Sequence, residues 1–278
     1  MKGIIRIAIV VVILLIVVSI MIKSFKNENI NEELGVFMNG DKDDNKIKFF
    51  NKDKMNEYDA YKKKNPNISD ELIVVYVNIG LNREFYTEIV PSKSPNSLFV
   101  LANKFYYLDS SYVPSDLEVV NKSYASGTQQ LRSEARLAFE RMAIKAKEEG
   151  CNIFAVSTYR SYNYQATLYN KYVARDGTEN ADRYSARAGH SEHQTGLAID
   201  IADSSMSFDN FGNTKEFIWM KDNAHKYGFI LRYTTDTEWI TGYLNEPWHY
   251  RYIGEDVATY IHSNPMTYEE YYVRFLDK

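Results

Sequence analysis

The chain opens on an apolar run. Every residue from 7 to 22 except Ser19 is apolar, and Gly3, Ile4 and Ile5 extend the run across Arg6. About 20 such residues suffice for a helix to cross a ~30 Å hydrocarbon core, so residues 1–23 are expected to form a transmembrane anchor. A cleaved signal peptide is the competing reading, which Lys2 and Arg6 would suit, but no small-x-small cleavage site follows. The pattern then turns polar. Residues 24–70 are rich in Lys, Asp, Glu and Asn and read as a polar linker, either a solvated spacer or a short polar helix between membrane and domain. A β-branched run at 72–77 and a loose alternation at 85–90, ended by Pro91, read as short strands. They make 71–98 a short β-containing segment without an assigned role.

From there the periodicity alternates between helix and strand. Residues 130–149 give the strongest helical pattern: Leu131, Ala135, Ala138, Met142 and Ala146 share a face, which Leu137, Phe139 and Ile144 widen, and Gly150 marks a stop. A strand is expected at 152–157, a helix at 162–174 and a strand at 197–201. Thr214 can cap a helix that runs to Tyr227 and stops at Gly228. Strands at 229–233 and 248–253 and a helix at 255–262 complete the series. Interleaved elements with hairpin-like late strands predict an α+β domain over 99–278, a small mixed or antiparallel sheet with flanking helices.

Composition narrows the partners. The chain has 278 residues, 45% hydrophobic and 25% charged, with net charge −4, which fits one ordinary domain plus an extra segment. The acidic balance and the lack of any long basic run argue against nucleic acid. Cys151 is the single cysteine, so no intramolecular disulfide or thiolate zinc cluster can form, and a metal site must use histidine and carboxylate. Cys151 itself reads as a small buried hydrophobe. Lys2 and Arg6 favour an inside amino terminus, placing the bulk of the chain outside. A single-pass protein of a bacterial cell membrane, with its domain extracellular, is the expected location.

Standard catalytic signatures are missing. No Ser is followed three residues later by Lys, as serine penicillin-binding enzymes require, and there is no H-E-x-x-H. Two other clusters stand out, Ser191-Glu192-His193-Gln194-Thr195-Gly196-Leu197-Ala198-Ile199-Asp200 and Glu246-Pro247-Trp248-His249. Asp200 falls in an apolar strand, where an unpaired charge is costly; a metal held by His193 and Asp200 would satisfy it. Pro247 and Trp248 pin the chain so that Glu246 and His249 can converge. Two His and one Asp with an open fourth position match a catalytic zinc site, and Glu246 then suits a general base. Glu192 occupies a variable-looking position and is given no role. His190 reads as a supporting or surface residue, and neither His225 nor His262 is assigned a function.

Both clusters resemble the VanY-type zinc D-alanyl-D-alanine carboxypeptidases, a family that includes LD-carboxypeptidases of peptidoglycan. The patterns S-x-H-x-x-G-x-A-x-D and E-x-W-H are met without departure, and residues 157–162 with Gln165 are similar to a strand-to-helix segment of the family. The resemblance covers residues 99–272. It implies Zn2+ on His193, Asp200 and His249, with Glu246 as catalytic base. It further implies Arg160 opposite the scissile carbonyl, and Gln165 and Ser191 in contact with a peptidoglycan stem peptide. A structural ion pair is the competing role for Arg160. The expected activity is removal of the terminal D-alanine. An LD-carboxypeptidase or endopeptidase with the same chemistry is the near alternative, and a non-catalytic wall-binding domain the distant one.

Overall fold

A computed structural model of the chain describes residues 47–277. The apolar run at 7–22 and most of the polar stretch that follows lie outside the described residues. Two compact units are distinguished, residues 1–55 and 56–278. Of the first, residues 47–55 are described, with a single 3-10 turn at Lys52–Lys54 capped by the Asn51 side chain. Among the described residues, no helix is long and apolar enough to cross a membrane.

The later part of the polar stretch takes the helical form among its two expected ones. Helix α1, Met55–Lys64, leads into the second unit, held there by buried Tyr58, whose hydroxyl donates to Asn78 Oδ1 at 2.8 Å. The strand expected at 72–77 is instead the interior of helix α2, Asp70–Ile79. Ser69 caps it by accepting from Leu72 N, two acids fill its first turn, and Gly80 ends it at φ 106°. Ile73, Val74, Val75, Tyr76 and Val77 are all buried. A helix enclosed on every side needs no polar face, so its period disappears and β-branched content misleads. The second expected strand is also mostly absent. Tyr86 and Glu88 adopt φ of 63° and 47°, which breaks an extended run. Only β1, Val90–Pro91, pairs, in parallel with β2, Tyr106–Tyr107. Residues 71–98 thus contribute to the same compact unit as the rest.

The remaining elements follow the sequence pattern closely. A short hairpin joins β3, Leu117–Val119, to β4, Gln130–Arg132. Helix α3, Ser133–Glu148, starts three residues later than its periodicity suggests because Leu131 is buried from the strand. Ala135, Ala138, Phe139, Met142 and Ala146 face the core, whereas Leu137 and Ile144 are exposed. Strand β5, Phe154–Ser157, passes through a turn into α4, Tyr162–Asp176, which Ser161 caps at Tyr164 N. Helix α5, Thr178–Asp182, precedes β6, Ala198–Ala202. Thr214 caps α6, Lys215–Asn223, by accepting from Phe217 N, and the chain turns at Gly228 into β7, Phe229–Leu231. Then come α7, Glu238–Thr241, β8, His249–Tyr252, α8, Glu255–Ser263, and α9, Tyr268–Tyr271. The main sheet has order β5-β6-β8-β7 with every pair antiparallel. All five residues of β6 are buried. The core packs α3 and α6 against this sheet through Phe139, Met142, Ile199, Ile201 and Met220.

Gly196 sits where the turn carrying His193 enters β6. Its φ is +67°, and an added Cβ would meet Leu117 Cδ2 at 2.8 Å. Gly150 shares the left-handed backbone, φ +81°, with open space around it. Gly150→Ala should therefore cost only the backbone strain, about 1–2 kcal/mol. Gly196→Ala should lower the melting temperature further, since it adds a collision. Equal melting temperatures for the two variants would show that the contact at Gly196 relaxes freely.

Candidate active site

Strand pairing assembles the site. β6 and β8 run antiparallel in a register that places Asp200 directly opposite His249. His193 arrives from a 3-10 turn, Glu192–Thr195, whose start is capped by Ser191 Oγ accepting from His193 N at 3.3 Å. His193 Nε2 lies 3.3 Å from Asp200 Oδ2, and His249 Nδ1 lies 2.9 Å from Asp200 Oδ1. One donor atom from each of the three buried residues falls within 4.8 Å of the other two. The expected metal ligands are brought together.

The donors fit a cation. His193 Nδ1 donates to Thr158 O at 2.6 Å, which leaves Nε2 with its lone pair; that nitrogen is buried and makes no hydrogen bond. Burial pushes the His193 imidazole down to about 4, with Arg160 acting in the same direction, so the ring stays neutral as a ligand must. His249 behaves oppositely. Burial opposes its charge, but Asp200 and Glu192 on its two sides outweigh that and raise it to about 9. The same negative field favours a metal ion at this point.

Glu246 joins them through a tight turn in which His249 N donates to Glu246 O at 3.0 Å. Its Oε2 is 4.0 Å from His249 Nδ1 and its side chain is 12% exposed. Burial pushes the Glu246 carboxyl up to about 7, Asp200 and Glu192 adding to the shift while His249 and Arg160 oppose it. Arg160 follows β5, its amide donating to His193 O at 3.2 Å. The nearest acid is Asp200, with Nη2–Oδ2 at 3.9 Å, and Nε is buried without a hydrogen bond. The guanidinium therefore faces the site and is not bound in a close ion pair.

These groups share a cavity of about 290 Å³ walled by Leu168, Tyr172, Tyr184, Phe208 and Trp248. Gln165, in the first turn of α4, is buried; its Nε2 donates to Ala186 O at 2.7 Å and its Oε1 has no partner. Both Gln165 and Ser191 line the cavity. Trp248 packs on Phe208 with ring centres 5.0 Å apart. His190 is a buried wall residue rather than a surface one, its Nδ1 donating to Asn103 O at 2.7 Å.

Sequence reasoning passed over a charged cluster behind the metal donors. Glu192 is fully buried, lies 3.1 Å from His249 Nε2, and accepts from Arg232 Nε at 2.9 Å and Arg251 Nη1 at 3.1 Å. Arg232 is also paired with Glu269 of α9 at 2.9 Å. Burial alone would raise the Glu192 carboxyl, yet Arg232, His249 and Arg251 hold it well below the usual range. A signal was available: Arg251 lies between Tyr250 and Tyr252 in a short strand, and a charge buried there demands a partner.

The profile of the family described as VanY, D-alanyl-D-alanine carboxypeptidase, matches residues 128–255. YodJ of Bacillus subtilis, a carboxypeptidase by designation, is 43% identical over 187 residues, which are 65% of this chain and 68% of YodJ. The chain belongs to the VanY family. It is a carboxypeptidase of that family, and its α+β architecture is the family's. The LdcB LD-carboxypeptidase, whose structure addresses peptidoglycan recognition, superimposes with a TM-score of 0.64 at 39% identity, covering 68% of this chain and 91% of LdcB. A variant of the vancomycin resistance D,D-pentapeptidase VanY from a VanB-type cassette, solved with Zn(II), gives 0.53 at 30% identity, covering 62% of this chain and 97% of its own.

If His193, Asp200 and His249 are the donors, protein purified without chelators should carry about one divalent metal per chain, as four-coordinate sites of this kind do. Asp200→Ala should lose it while remaining folded. Elemental analysis beside circular dichroism checks both. Equimolar metal retained by the variant would remove Asp200 from the donor set.

Proposed function

We propose that the chain is a membrane-anchored zinc carboxypeptidase that removes the terminal D-alanine from peptidoglycan stem peptides outside the cell. The observation that carries this reading is the convergence of His193, Asp200 and His249 on one point, with Glu246 and Arg160 facing the same cavity. A Zn(II) complex of a VanY relative supports the choice of metal. The apolar run at 7–22 supplies the anchor, and Lys2 and Arg6 set its direction.

A zinc ion held by His193, Asp200 and His249 would supply Lewis acidity at this point, which would polarise a carbonyl and make water acidic enough to attack near neutral pH. Glu246 does the proton work: its raised carboxyl accepts the proton of the attacking water and returns it to the departing amine. Arg160 presents a fixed positive charge to the carbonyl oxygen as negative charge develops there. Gln165 Oε1, buried and unpaired, can accept an amide N–H of the stem peptide, and Ser191 lines the same cavity.

A second reading has a specific observation behind it. The fit to the LD-carboxypeptidase LdcB, TM-score 0.64, exceeds the fit to the D,D-pentapeptidase, 0.53. An LD-carboxypeptidase would cleave tetrapeptide stems and leave the D-Ala-D-Ala bond intact. Incubation with defined pentapeptide and tetrapeptide stems separates the two by which D-alanine is released; release from neither would sink both.

Glu246→Ala should keep its zinc and lose about 10²–10⁴-fold in turnover, the usual contribution of a positioned acid–base group. Substantial residual activity in zinc-loaded protein would assign the base elsewhere. Arg160→Ala should lower kcat by about 10²–10³-fold, and Arg160→Lys should restore only part of it, because a point charge replaces a planar fork. A normal kcat with a raised KM would instead put Arg160 on the substrate's terminal carboxylate.

A further inference from the structure

A second cavity, of about 570 Å³, lies across the chain segment that follows α5. Arg183 lines it, whereas Tyr184, Ser185 and Ala186 line the active-site cavity, so this segment is a partition between the two. Tyr86 on the far side and Tyr243 on the near side complete the partition, their hydroxyls 3.4 Å apart. The volume is that of a small-ligand site, and none of its lining residues has a part in the chemistry described above.

The walls are aromatic, and several polar groups are unspent. Trp239 on α7 is 51% exposed and is held at right angles to Tyr76, ring centres 5.0 Å apart. Phe85 and Tyr86 flank buried Lys104, whose Nζ lies 5.5 and 4.8 Å from their ring centres. That nitrogen lines the cavity, and Asp182 O accepts one of its donors. Among the described residues, the side chains of Glu179 and Thr235 have no hydrogen-bond or ion-pair partner. Charge selects against ionic ligands. Arg183 is spent on Glu238 at 2.6 Å and Asp182 on Arg187 at 2.9 Å. Burial pushes Lys104 down to about 7, so little positive charge awaits an anion. A cationic ligand would meet Lys104 on the aromatic faces it needs. What fits is a neutral ligand rich in hydroxyl and amide groups, with an apolar face to lay on Trp239. Pyranose sugars have that chemistry.

We propose that the second cavity is a subsite for the N-acetylated sugar that carries the stem peptide. The proposal deepens the peptidoglycan carboxypeptidase reading and rests on it. An enzyme that cuts at the free end of the stem meets the sugar at the opposite end. Four extended residues span at most about 14 Å, and a partition one chain segment thick is about 5 Å of backbone. Trp239 is the platform, and Lys104, Glu179 and Thr235 offer hydrogen bonds to the amide and hydroxyl groups. Stacking on one aromatic ring corresponds to about 2–10-fold in affinity.

The test compares free stem peptides with the same peptides carrying a disaccharide on the amino terminus, using full-length protein. KM should be about 2–10-fold lower for the glycosylated form, with kcat alike, and Trp239→Ala should raise that KM to the value for the free peptide. Equal KM for both forms in the wild type, or a difference that survives in Trp239→Ala, would overturn the subsite and leave the carboxypeptidase reading standing. Cleavage of neither form would overturn that reading, and binding then decides the sugar site by itself. With 5-fluorotryptophan in place of the three tryptophans, the Trp239 resonance is assigned by its loss in Trp239→Phe. It should shift on titration with the disaccharide of N-acetylglucosamine. A shift confined to Trp248 would put the sugar in the catalytic cavity, and no shift at millimolar sugar would leave the second cavity without its ligand; either result overturns the proposal.

Discussion

One cross-strand pair organises this protein. Asp200 on β6 sits opposite His249 on β8, and slipping either strand by one residue would turn its own ligand to the other face of the sheet and break the pair. The flanking residues fix the register because Ile199 and Ile201 pack into the core when Asp200 faces the cavity. The turn bearing His193, the Glu246 turn and the Arg160 backbone are then hung on this pair by main-chain hydrogen bonds. Hydrophobic burial of β6 and construction of the metal site are one and the same constraint.

The electrostatic problem this creates is solved locally. Asp200, Glu192 and Glu246 crowd around His249, and ions removed from water cost several kcal/mol each unless compensated. Arg232 and Arg251 compensate Glu192, and Glu269 in turn compensates Arg232. Asp200 is left to the two histidines, with Arg160 more distant, which is the arrangement a divalent cation completes. Glu246 is buried, and that burial raises its proton affinity although His249 lies 4.0 Å away and opposes the shift.

Much of this was readable from residue order, for physical reasons that differ between regions. The cap at Thr214 and the stop at Gly228 act locally, so sequence reveals them. The two motifs are legible because Gly, Pro and an acid in an apolar strand are costly choices without a purpose. The helix at 70–79 was not legible from periodicity, because burial on all sides erases it; its capping residues Ser69 and Gly80 held the information. Glu192 was missed because its arginine partners lie 40 and 59 residues away in the chain, just beyond β7 and on β8 respectively. Sequence spacing carries no trace of a contact of that kind.

The reach of the charged cluster has a consequence for when the enzyme becomes competent. Glu269 follows His249 by twenty residues, yet it anchors the arginine that steadies the support of that ligand. A growing chain can form β6 and β8, and even gather its three donors, before α9 exists to dock. Until then Arg232 holds a buried charge matched only by Glu192. Full compensation of that buried charge therefore depends on the docking of α9.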